Sequence, residues 1–592
     1  MMIAILIFVI FTFFDTNESK LTSVVRTKNG YVQGEILRTI SNSTEFSSFK
    51  GIPYAIPPLG YLRFKPPVPI KPWNGILKAT KEGPNCIQKD FVYTSEFTGS
   101  EDCLYLNVYT PEVKFSDADP RNLLPVMMWI YGGSFKRGYA NSFLYGPDFI
   151  IEEKVVLVTF NYRLGPLGFL NLKHDNATGN AALKDQNLVL RWINENIAQF
   201  GGNPNSVTLF GQSAGGVAVD FHGLSEMSKG LFHRSISMSA SPLCPWAFHT
   251  GEAAVKQAFI LGEKLGKVAS NKNELLKVLY DASATDIMTK TEDMGSSDPP
   301  FKPSIESTDV AINEKKFITS CSYGNYVSGN FLRVPHLTGY TLNETLLFAG
   351  DVESVSDVAK FALQCAGSFP RSSLLPLPIT NQVFSKISNK SINIVDAFVS
   401  ELIDETSDIL FVTGIDMKRK LMSTRNDQPL FFYRFSYITD QSLHRLLYNI
   451  SLNGTAHGDD FAYLFHMKIL NFSLNSNDPT FITRKRMVRL WTNFAKYSNP
   501  TPRGSQDELL QRITWPNSRI NNSYLEFGKD LSVKTISMDK LVEVLETGSP
   551  FALPIQTGCT SDLIKLIFKQ LNPFNKNNYM QNSLNLGISQ LF

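Results

Sequence analysis

Three runs of apolar residues in the first half of the chain predict buried strands: residues 126–131 (VMMWIY), 155–160 (VVLVTF) and 207–210 (VTLF). Short apolar runs without polar alternation are typical of strands buried on both faces of a sheet. A helix-length segment, residues 188–199, lies between the second and third runs. Strands that alternate with helices favour an α/β fold with a mostly parallel sheet, whose functional residues we expect on loops at the carboxyl ends of the strands.

The chain begins with 14 residues of which only Thr12 is polar. This run is too short to span a bilayer comfortably and has the length of a signal-peptide core. We therefore expect residues 1–16 to be a signal peptide and the protein to be secreted. An uncleaved membrane anchor is the alternative, because no Lys or Arg precedes the run and no small-x-small cleavage site precedes Asp15. No other segment has the length and apolar character of a membrane span.

The composition is that of an ordinary globular protein, with 43% hydrophobic and 19% charged residues among 592. The formal net charge is only +3, and no block of basic residues stands out. Nucleic-acid binding needs such a basic footprint, so we exclude that class of function. No linker-like segment divides the chain, which favours one large domain with insertions.

Features of a secreted glycoprotein are spread along the chain. The six cysteines allow 15 full pairings, and in an oxidising compartment a short-loop pair such as Cys86 with Cys103 is one reasonable choice. Asn-x-Ser/Thr sequons, which suit N-glycosylation, begin at Asn17, Asn42, Asn176, Asn343, Asn389, Asn449, Asn453, Asn471 and Asn521.

A single serine lies between two glycines directly after the third apolar run, in the pentapeptide GQSAG of residues 211–215. This G-x-S-x-G pattern is typical of a sharp strand-to-helix turn that lifts the serine hydroxyl above the edge of a sheet. It makes Ser213 a candidate nucleophile. Because so short a pattern also occurs by chance, the rest of the chain must supply a base, an acid and an oxyanion site.

The candidate base is His457. In an α/β-hydrolase the acid and then the histidine follow the nucleophile along the chain. Five of the eight histidines precede the best acid, His444 lies in a helix-like stretch and His466 lies in an apolar run. His457 lies in the glycine-flanked loop NGTAHGDD, where an imidazole can reach the serine and accept its proton. The alternative is an ordinary surface-loop histidine.

The candidate acid is Glu344, in the segment VPHLTGYTLNET just beyond a strand-like stretch that ends near Tyr340. A carboxylate at this point can orient the imidazole and stabilise its protonated form. The alternative is a solvated loop glutamate beside a glycan, because Asn343, Glu344 and Thr345 form a sequon. A buried acid and a glycan on Asn343 are hard to reconcile, so we expect Asn343 to be unmodified.

The candidate oxyanion site follows the first apolar strand, in the segment WIYGGSFKRG. Glycines after a strand let the backbone approach the reacting group closely and direct N–H groups at a developing oxyanion. The N–H of Ala214, the residue after the candidate nucleophile, adds a further donor.

With these residues in place, the chain resembles the type-B carboxylesterase and cholinesterase family, and most closely its insect-type secreted carboxylesterases. The resemblance runs from about Leu21 to about Glu546, so we expect one domain over residues 21–546 and assign no role to the tail, residues 547–592. The motifs that carry it include FKGIPYAIPPLGYLRFKPP (49–67), SEDCLYLNVYTP (100–111), NYRLGPLGFL (161–170), AHGDDFAYLF (456–465) and MVRLWTNFAKYSNPTP (487–502).

The resemblance implies an α/β-hydrolase fold. The serine esterase reaction expected of this fold needs no metal or organic cofactor. It also implies a set of residue roles: oxyanion donors Gly133, Ser134 and Ala214, an acyl-pocket residue Trp246, a disulfide between Cys86 and Cys103, and ion pairs of Arg63 with Glu101 and Arg163 with Asp185. Cys244 matches a position that is often unpaired. The pairing among Cys244, Cys321, Cys365 and Cys559 stays open.

Two departures from the family pattern bear on specificity. Ser134 stands where the family usually has a third glycine, and we expect its side chain to restrict the acyl site or to alter the handling of the phosphorylated enzyme. Gln212 replaces the glutamate that cholinesterases carry before the nucleophile, and the loop between Cys86 and Cys103 contains no Trp to stack on a quaternary ammonium group. Choline esters are therefore not the expected substrates.

Together these residues predict a secreted serine esterase that acts on small carboxylic esters through an acyl-enzyme. Specialised hormone or pheromone esterases and organophosphate-sequestering enzymes are alternatives that the sequence does not separate from it. A non-catalytic adhesion or binding protein is an alternative from another class. Such relatives typically lack the serine or the histidine, whereas this chain has both.

Overall fold

The computed structural model describes residues 20–115 apart from 91 and 93, and residues 122–295, 298–350, 394–502 and 506–536. The predicted signal peptide, the tail from residue 547, Cys365, Cys559 and the sequons at Asn17 and Asn389 lie outside these ranges.

A large central sheet forms the middle of the fold, and its middle strands are buried. Its strands among the described residues are β1 (Glu35–Arg38), β2 (Glu45–Pro53), β3 (Tyr105–Thr110), β4 (Leu124–Ile130), β5 (Val156–Phe160), β6 (Gly202–Gln212), β7 (Arg234–Met238), β8 (His336–Thr341), β9 (Leu430–Phe435), β10 (Ser523–Phe527) and β11 (Leu531–Thr535).

The strands lie across the sheet in the order β11-β10-β9-β8-β7-β6-β4-β5-β3-β2-β1. The pairings from β10 to β5 are parallel, and those at both edges are antiparallel. The three apolar runs of the sequence are β4, β5 and the end of β6, at the centre of the sheet. The prediction of an α/β fold with a mostly parallel sheet is confirmed.

Helices flank this sheet, and several begin at a side chain that accepts a first-turn N–H, as Thr250, Asn271, Ser283 and Asp478 do. In the described ranges they are α1 (Asp148–Glu152), α2 (Gly165–Phe169), α3 (Ala181–Asn196), α4 (Ala214–Leu224), α5 (Gly251–Lys264), α6 (Lys272–Asp281), α7 (Ala284–Glu292), α8 (Ser322–Ser328), α9 (Leu346–Ala349), α10 (Ile394–Ser407), α11 (Thr413–Arg425), α12 (Leu443–Tyr448), α13 (Pro479–Tyr497) and α14 (Ser518–Asn521).

Helix α3 is longer than the sequence pattern predicts, because it begins at Ala181 instead of residue 188. Its first two turns carry Lys184 and Asp185, which interrupt the apolar pattern. Both side chains are nevertheless buried, since Lys184 pairs with Glu306 and Asp185 with Arg163, each at 2.6 Å. Burial of these polar residues depends on partners that are distant in sequence, so the periodicity of the helix alone does not reveal it.

The disulfide and the ion pairs that the resemblance implies are present. Cys86 and Cys103 form a disulfide with their Cα atoms 5.0 Å apart, and Arg63 Nε donates to Glu101 Oε1 at 2.7 Å. Cys244 is a buried free thiol, whereas Cys321 is disulfide-bonded. None of the helices in the described ranges has the length and apolar character needed to cross a membrane.

Candidate active site

Ser213 occupies a strained turn between β6 and α4. Its backbone has φ 58° and ψ −130°, in a region that costs a non-glycine residue free energy and is typical of functional sites. The Ser213 N–H donates to the carbonyl of Met238 at 2.9 Å, and its own carbonyl accepts from Val217 N at 2.9 Å. Hydrogen bonds to the neighbouring strand and to the helix therefore hold the turn that the GQSAG pattern predicts.

The glycines of this turn are required by close packing against β4. A Cβ on Gly215 would lie 2.0 Å from the carbonyl oxygen of Ile130, and one on Gly211 would lie 2.6 Å from the backbone of Gly215. No side chain fits in either place, so the turn can pass directly over the end of β4 only with glycine at both positions.

His457 and Glu344 form a buried pair. His457 Nδ1 lies 2.5 Å from Glu344 Oε2, and the Glu344 side chain is fully buried. Its other oxygen, Oε1, accepts from the N–H of Thr341 at 2.8 Å, and the His457 N–H donates to the Glu344 carbonyl at 3.1 Å. This carboxylate therefore fixes the ring with its proton on Nδ1 and leaves Nε2 as the acceptor.

The partner of His457 Nε2 in this structure is the side-chain amide of Gln212, at 3.1 Å. Both Ser213 and His457 line one cavity. Within the described residues, however, no hydrogen bond joins Ser213 Oγ to the ring. The structure thus brings the three residues of the predicted triad into one region but leaves the link between the serine and the histidine unmade.

The segment after β4 lines the same cavity with strained backbone. Gly133 has φ 114°, and Ser134 and Phe135 also have positive φ values, 54° and 60°. In the described part of the chain, the N–H groups of Gly133 and Ser134 donate to no protein acceptor. Ala214 is the first residue of α4, where the N–H has no partner within the helix. All three predicted oxyanion donors therefore have N–H groups available for a ligand.

The cavity has a volume of about 390 Å³, which is the size of a small-molecule site. Trp246 lines it as the resemblance implies, and its Nε1 donates to the carbonyl of Leu410 at 2.9 Å. Most of the other lining side chains are apolar, among them Leu144, Tyr145, Leu347, Phe348, Phe411 and Met467.

Phe411 is a site residue that the sequence does not indicate. The centroid of its ring lies 4.7 Å from the ring centroid of His457 and 5.5 Å from that of Trp246. It belongs to a π-helical turn, Asp408–Val412, between α10 and α11. Such turns frequently occur at functional sites, but their irregular hydrogen bonding leaves no periodic pattern in the sequence.

Two cationic side chains, Lys136 and Arg137, also line the cavity, and Lys136 pairs with Glu292 at 3.2 Å. Near the imidazole, burial raises the pKa of the Asp460 carboxyl to about 7, although the hydroxyl of Tyr433 donates to it at 2.7 Å and opposes this shift. Asp460 is therefore a carboxyl group near His457 whose pKa lies close to neutral pH.

The histidines that the sequence sets aside have other partners. His444 Nδ1 is paired with Asp459 at 2.7 Å in the interior, and His466 Nδ1 with Asp148 at 3.2 Å. Among the residues that the structure describes, no group of three or more His, Cys, Asp or Glu side chains could hold a metal ion.

Comparisons with known proteins agree with this geometry. The carboxylesterase family model matches residues 21–543. The chain is 34% identical to juvenile hormone esterase of Tribolium castaneum over 87% of this chain and 88% of that protein. It is 30% identical to venom carboxylesterase-6 of Apis mellifera, over 90% and 95% of the two chains, and 33% identical to acetylcholinesterase of Bungarus fasciatus, over 83% and 80%.

A solved structure gives the same result for the fold. The crystal structure of juvenile hormone esterase from Manduca sexta, with OTFP covalently attached, has a TM-score of 0.74 and 27% sequence identity, and the match covers 89% of this chain and 99% of that one. The α/β-hydrolase fold and the carboxylesterase activity expected from the sequence are thereby supported along most of the chain. The chain belongs to the carboxylesterase family.

Proposed function

We propose that this carboxylesterase is a secreted serine hydrolase of small carboxylic esters that works through an acyl-enzyme on Ser213. One observation carries the proposal. A serine in a strained strand-to-helix turn and an imidazole fixed by a buried carboxylate line the same cavity. Beside them are backbone N–H groups that donate to no acceptor among the residues that the structure describes.

In the proposed reaction, Ser213 Oγ attacks the ester carbonyl carbon while His457 Nε2 takes the hydroxyl proton. The N–H groups of Gly133, Ser134 and Ala214 stabilise the oxyanion of the tetrahedral intermediate. The imidazolium then gives its proton to the departing alcohol. Water repeats the sequence on the acyl-enzyme and releases the acid and the free serine.

Glu344 acts in this scheme by holding the ring and stabilising its protonated form. Its complete burial favours this role over that of a solvated loop glutamate. The amide of Asn343 donates to Asp404 at 3.0 Å, which supports the expectation that Asn343 is not glycosylated.

Secretion and N-glycosylation belong to the proposal as well. The Cys86–Cys103 disulfide suits an oxidising compartment. Several sequon asparagines are exposed on the surface: Asn42, Asn449, Asn453, Asn471 and Asn521. Expression in a secreting cell, followed by mass analysis of the medium before and after glycosidase treatment, tests both points.

The first experiment is hydrolysis of 1-naphthyl acetate and of a graded acyl-chain series by the secreted protein. Ser213→Ala is the matched control, and we expect it to lose on the order of 10⁶-fold in kcat. Turnover that survives in this variant would disprove the role of Ser213. Folded wild-type protein that turns over none of these esters would favour the non-catalytic alternative or a very narrow substrate.

A specialised hormone esterase is the second candidate, because two of the similar proteins are named juvenile hormone esterases and the cavity is lined mainly by apolar side chains. The test compares kcat/KM for juvenile hormone with that for 1-naphthyl acetate. A preference for the hormone by two orders of magnitude or more would support this candidate, and a preference for the short ester would exclude it. A burst with an organophosphate followed by no turnover would indicate sequestration.

A further inference from the structure

The side chain of Gln212 occupies the nitrogen of His457 that the proposed reaction uses. Gln212 Nε2 lies 3.1 Å from His457 Nε2, and the glutamine is 4% exposed. It is the last residue of β6, directly before Ser213, and it lines the same cavity. Two consecutive residues that carry hydrogen-bond donors, Gln212 and Ser213, therefore line the cavity that His457 also lines.

The direction of this hydrogen bond follows from Glu344. Because the carboxylate lies 2.5 Å from Nδ1, the ring proton is on that side and Nε2 offers a lone pair. Only the NH₂ group of the glutamine can donate to a lone pair, since its carbonyl oxygen would be repelled. Gln212 Oε1 lies on the other side, 3.1 Å from where a Cβ on Gly132 would be. The amide thus lies between the ring and the segment after β4.

An unprotonated imidazole nitrogen has one lone pair, so the Gln212 amide and the Ser213 hydroxyl compete for it. In this structure the Gln212 amide holds the lone pair, so no hydrogen bond from Ser213 to Nε2 can form at the same time. We propose that Gln212 is a positioning residue for His457: its amide holds the neutral ring in the resting enzyme, disfavours protonation of Nε2, and releases the lone pair to Ser213 during the reaction. This inference rests on the proposed function.

A glutamate at this position would act in the opposite direction. Its carboxylate would attract the imidazolium and favour protonation of Nε2, since an opposite charge nearby stabilises the charged form. A methionine of similar length would neither donate to the ring nor attract it. The three side chains therefore predict an order for the ease of protonation of the ring: Gln below Met below Glu.

Other groups around the ring also affect its protonation and must be held constant. Glu344 pairs with Nδ1, and Asp460, held by Tyr433, interacts electrostatically with His457. Arg137, Lys136 and Tyr448 line the same cavity. The Gln212 variants leave all of these in place. Asp460→Asn in each background removes the one group among them whose pKa is raised to about 7.

The experiment measures the rate at which a fluorophosphonate labels Ser213 between pH 5 and pH 9, in wild type, Gln212→Met and Gln212→Glu. In this reaction Oγ bonds to phosphorus, fluoride leaves, and the hydroxyl proton passes to His457 Nε2, so the rate falls as the ring becomes protonated. Intact-mass analysis follows the adduct without requiring ester turnover, and thermal unfolding shows whether each variant is folded.

We expect the acid limb of the pH profile to move to higher pH by about half a unit for the methionine variant, because a neutral hydrogen bond is lost. For the glutamate variant we expect a shift of about one unit or more. The order should persist in the Asp460→Asn background. Coincident limbs, or a glutamate limb at lower pH than that of the wild type, would overturn the inference while labelling of Ser213 still supports the esterase.

Absence of labelling at every pH would instead count against the proposed function. The imidazole nitrogen-15 signals of His457, assigned through a His457→Gln variant, then test the inference without any reaction at the serine. The pH at the midpoint of their titration should rise from wild type to the Gln212→Met variant and again to the Gln212→Glu variant. Identical titrations in the three proteins would overturn it.

Discussion

The two sides of the cavity are built in different ways. On the serine side, close backbone packing sets the geometry. The turn at Ser213 lies so close to β4 that a Cβ on Gly215 would approach the Ile130 carbonyl oxygen to 2.0 Å. On the imidazole side, a side-chain hydrogen bond sets the geometry. His457 and Glu344 come from loops 113 residues apart, and their side chains meet in a 2.5 Å hydrogen bond.

Because of this difference, the two sides tolerate different kinds of substitution. Backbone packed at van der Waals distance cannot accept an added methyl group without moving. A side-chain hydrogen bond can be altered by one substitution while the backbone stays in place. We therefore expect changes on the serine side to act through geometry and changes on the imidazole side to act through charge and protonation.

Apart from loss of the Ser213 hydroxyl itself, the largest effect is expected on the imidazole side. Glu344→Gln removes the buried charge that orients His457 and stabilises its protonated form, so kcat should fall by about 10³–10⁴-fold. Ester hydrolysis under saturating substrate measures it. Glu306→Gln is the control, because it breaks a buried ion pair with Lys184 away from the cavity. It should lower the Tm while kcat stays within about tenfold of the wild type. Equal losses of kcat in both variants would mean that Glu344 acts only through stability.

The serine side should respond to added bulk. A Cβ on Gly133 would lie 2.2 Å from the Arg137 carbonyl oxygen, so Gly133→Ala should displace the oxyanion donors and lower kcat by about 10²–10³-fold. Gly75→Ala is the matched control, since Gly75 also has a positive φ, 79°, but has no atom within 4 Å of a Cβ. A similar loss of kcat in both proteins would trace the effect to backbone strain alone.

Asp460, on the imidazole side, should make the free energy of unfolding of the protein depend on pH. Its pKa is about 7 in the folded protein and about 3.9 in an unfolded chain. Between these values the folded state holds more protons, so the stability contributed by Asp460 falls as the pH rises. Above pH 7 the penalty is a few kcal/mol.

Asp460→Asn should remove this penalty. The difference in unfolding free energy between the variant and the wild type should therefore grow in favour of the variant from pH 4.5 to pH 8. Denaturant unfolding at both pH values measures it. Parallel stability curves for the two proteins would show that the carboxyl titrates in its ordinary range.

The smallest effect is expected at Ser134. Its φ of 54° is unusual for a non-glycine residue, and it lines the cavity. Ser134→Gly should raise kcat/KM for longer acyl chains relative to acetate by about tenfold or less. Ser134→Ala separates the effect of the hydroxyl from that of the Cβ. An unchanged acyl-chain profile in the glycine variant would contradict the idea that Ser134 restricts the acyl site.

Predictions from the sequence held best where local pattern determines structure. The apolar runs correspond to β4, β5 and the end of β6, and the GQSAG turn is followed by α4. Chain order selected His457 from eight histidines, and the structure puts it beside Glu344. The start of α3 was misplaced, because Lys184 and Asp185 are buried with partners far along the chain.

The sequence by itself therefore determined the central strands, the strand-to-helix turn at Ser213 and the identity of the residues that meet in the cavity, because each depends on local propensity, glycine spacing or order along the chain. Only the tertiary structure decided that Phe411 packs on the ring of His457 and that Gln212, not Ser213, holds its Nε2. These contacts depend on side chains that converge from separate segments at distances of a few ångströms. No pattern along one chain encodes such distances.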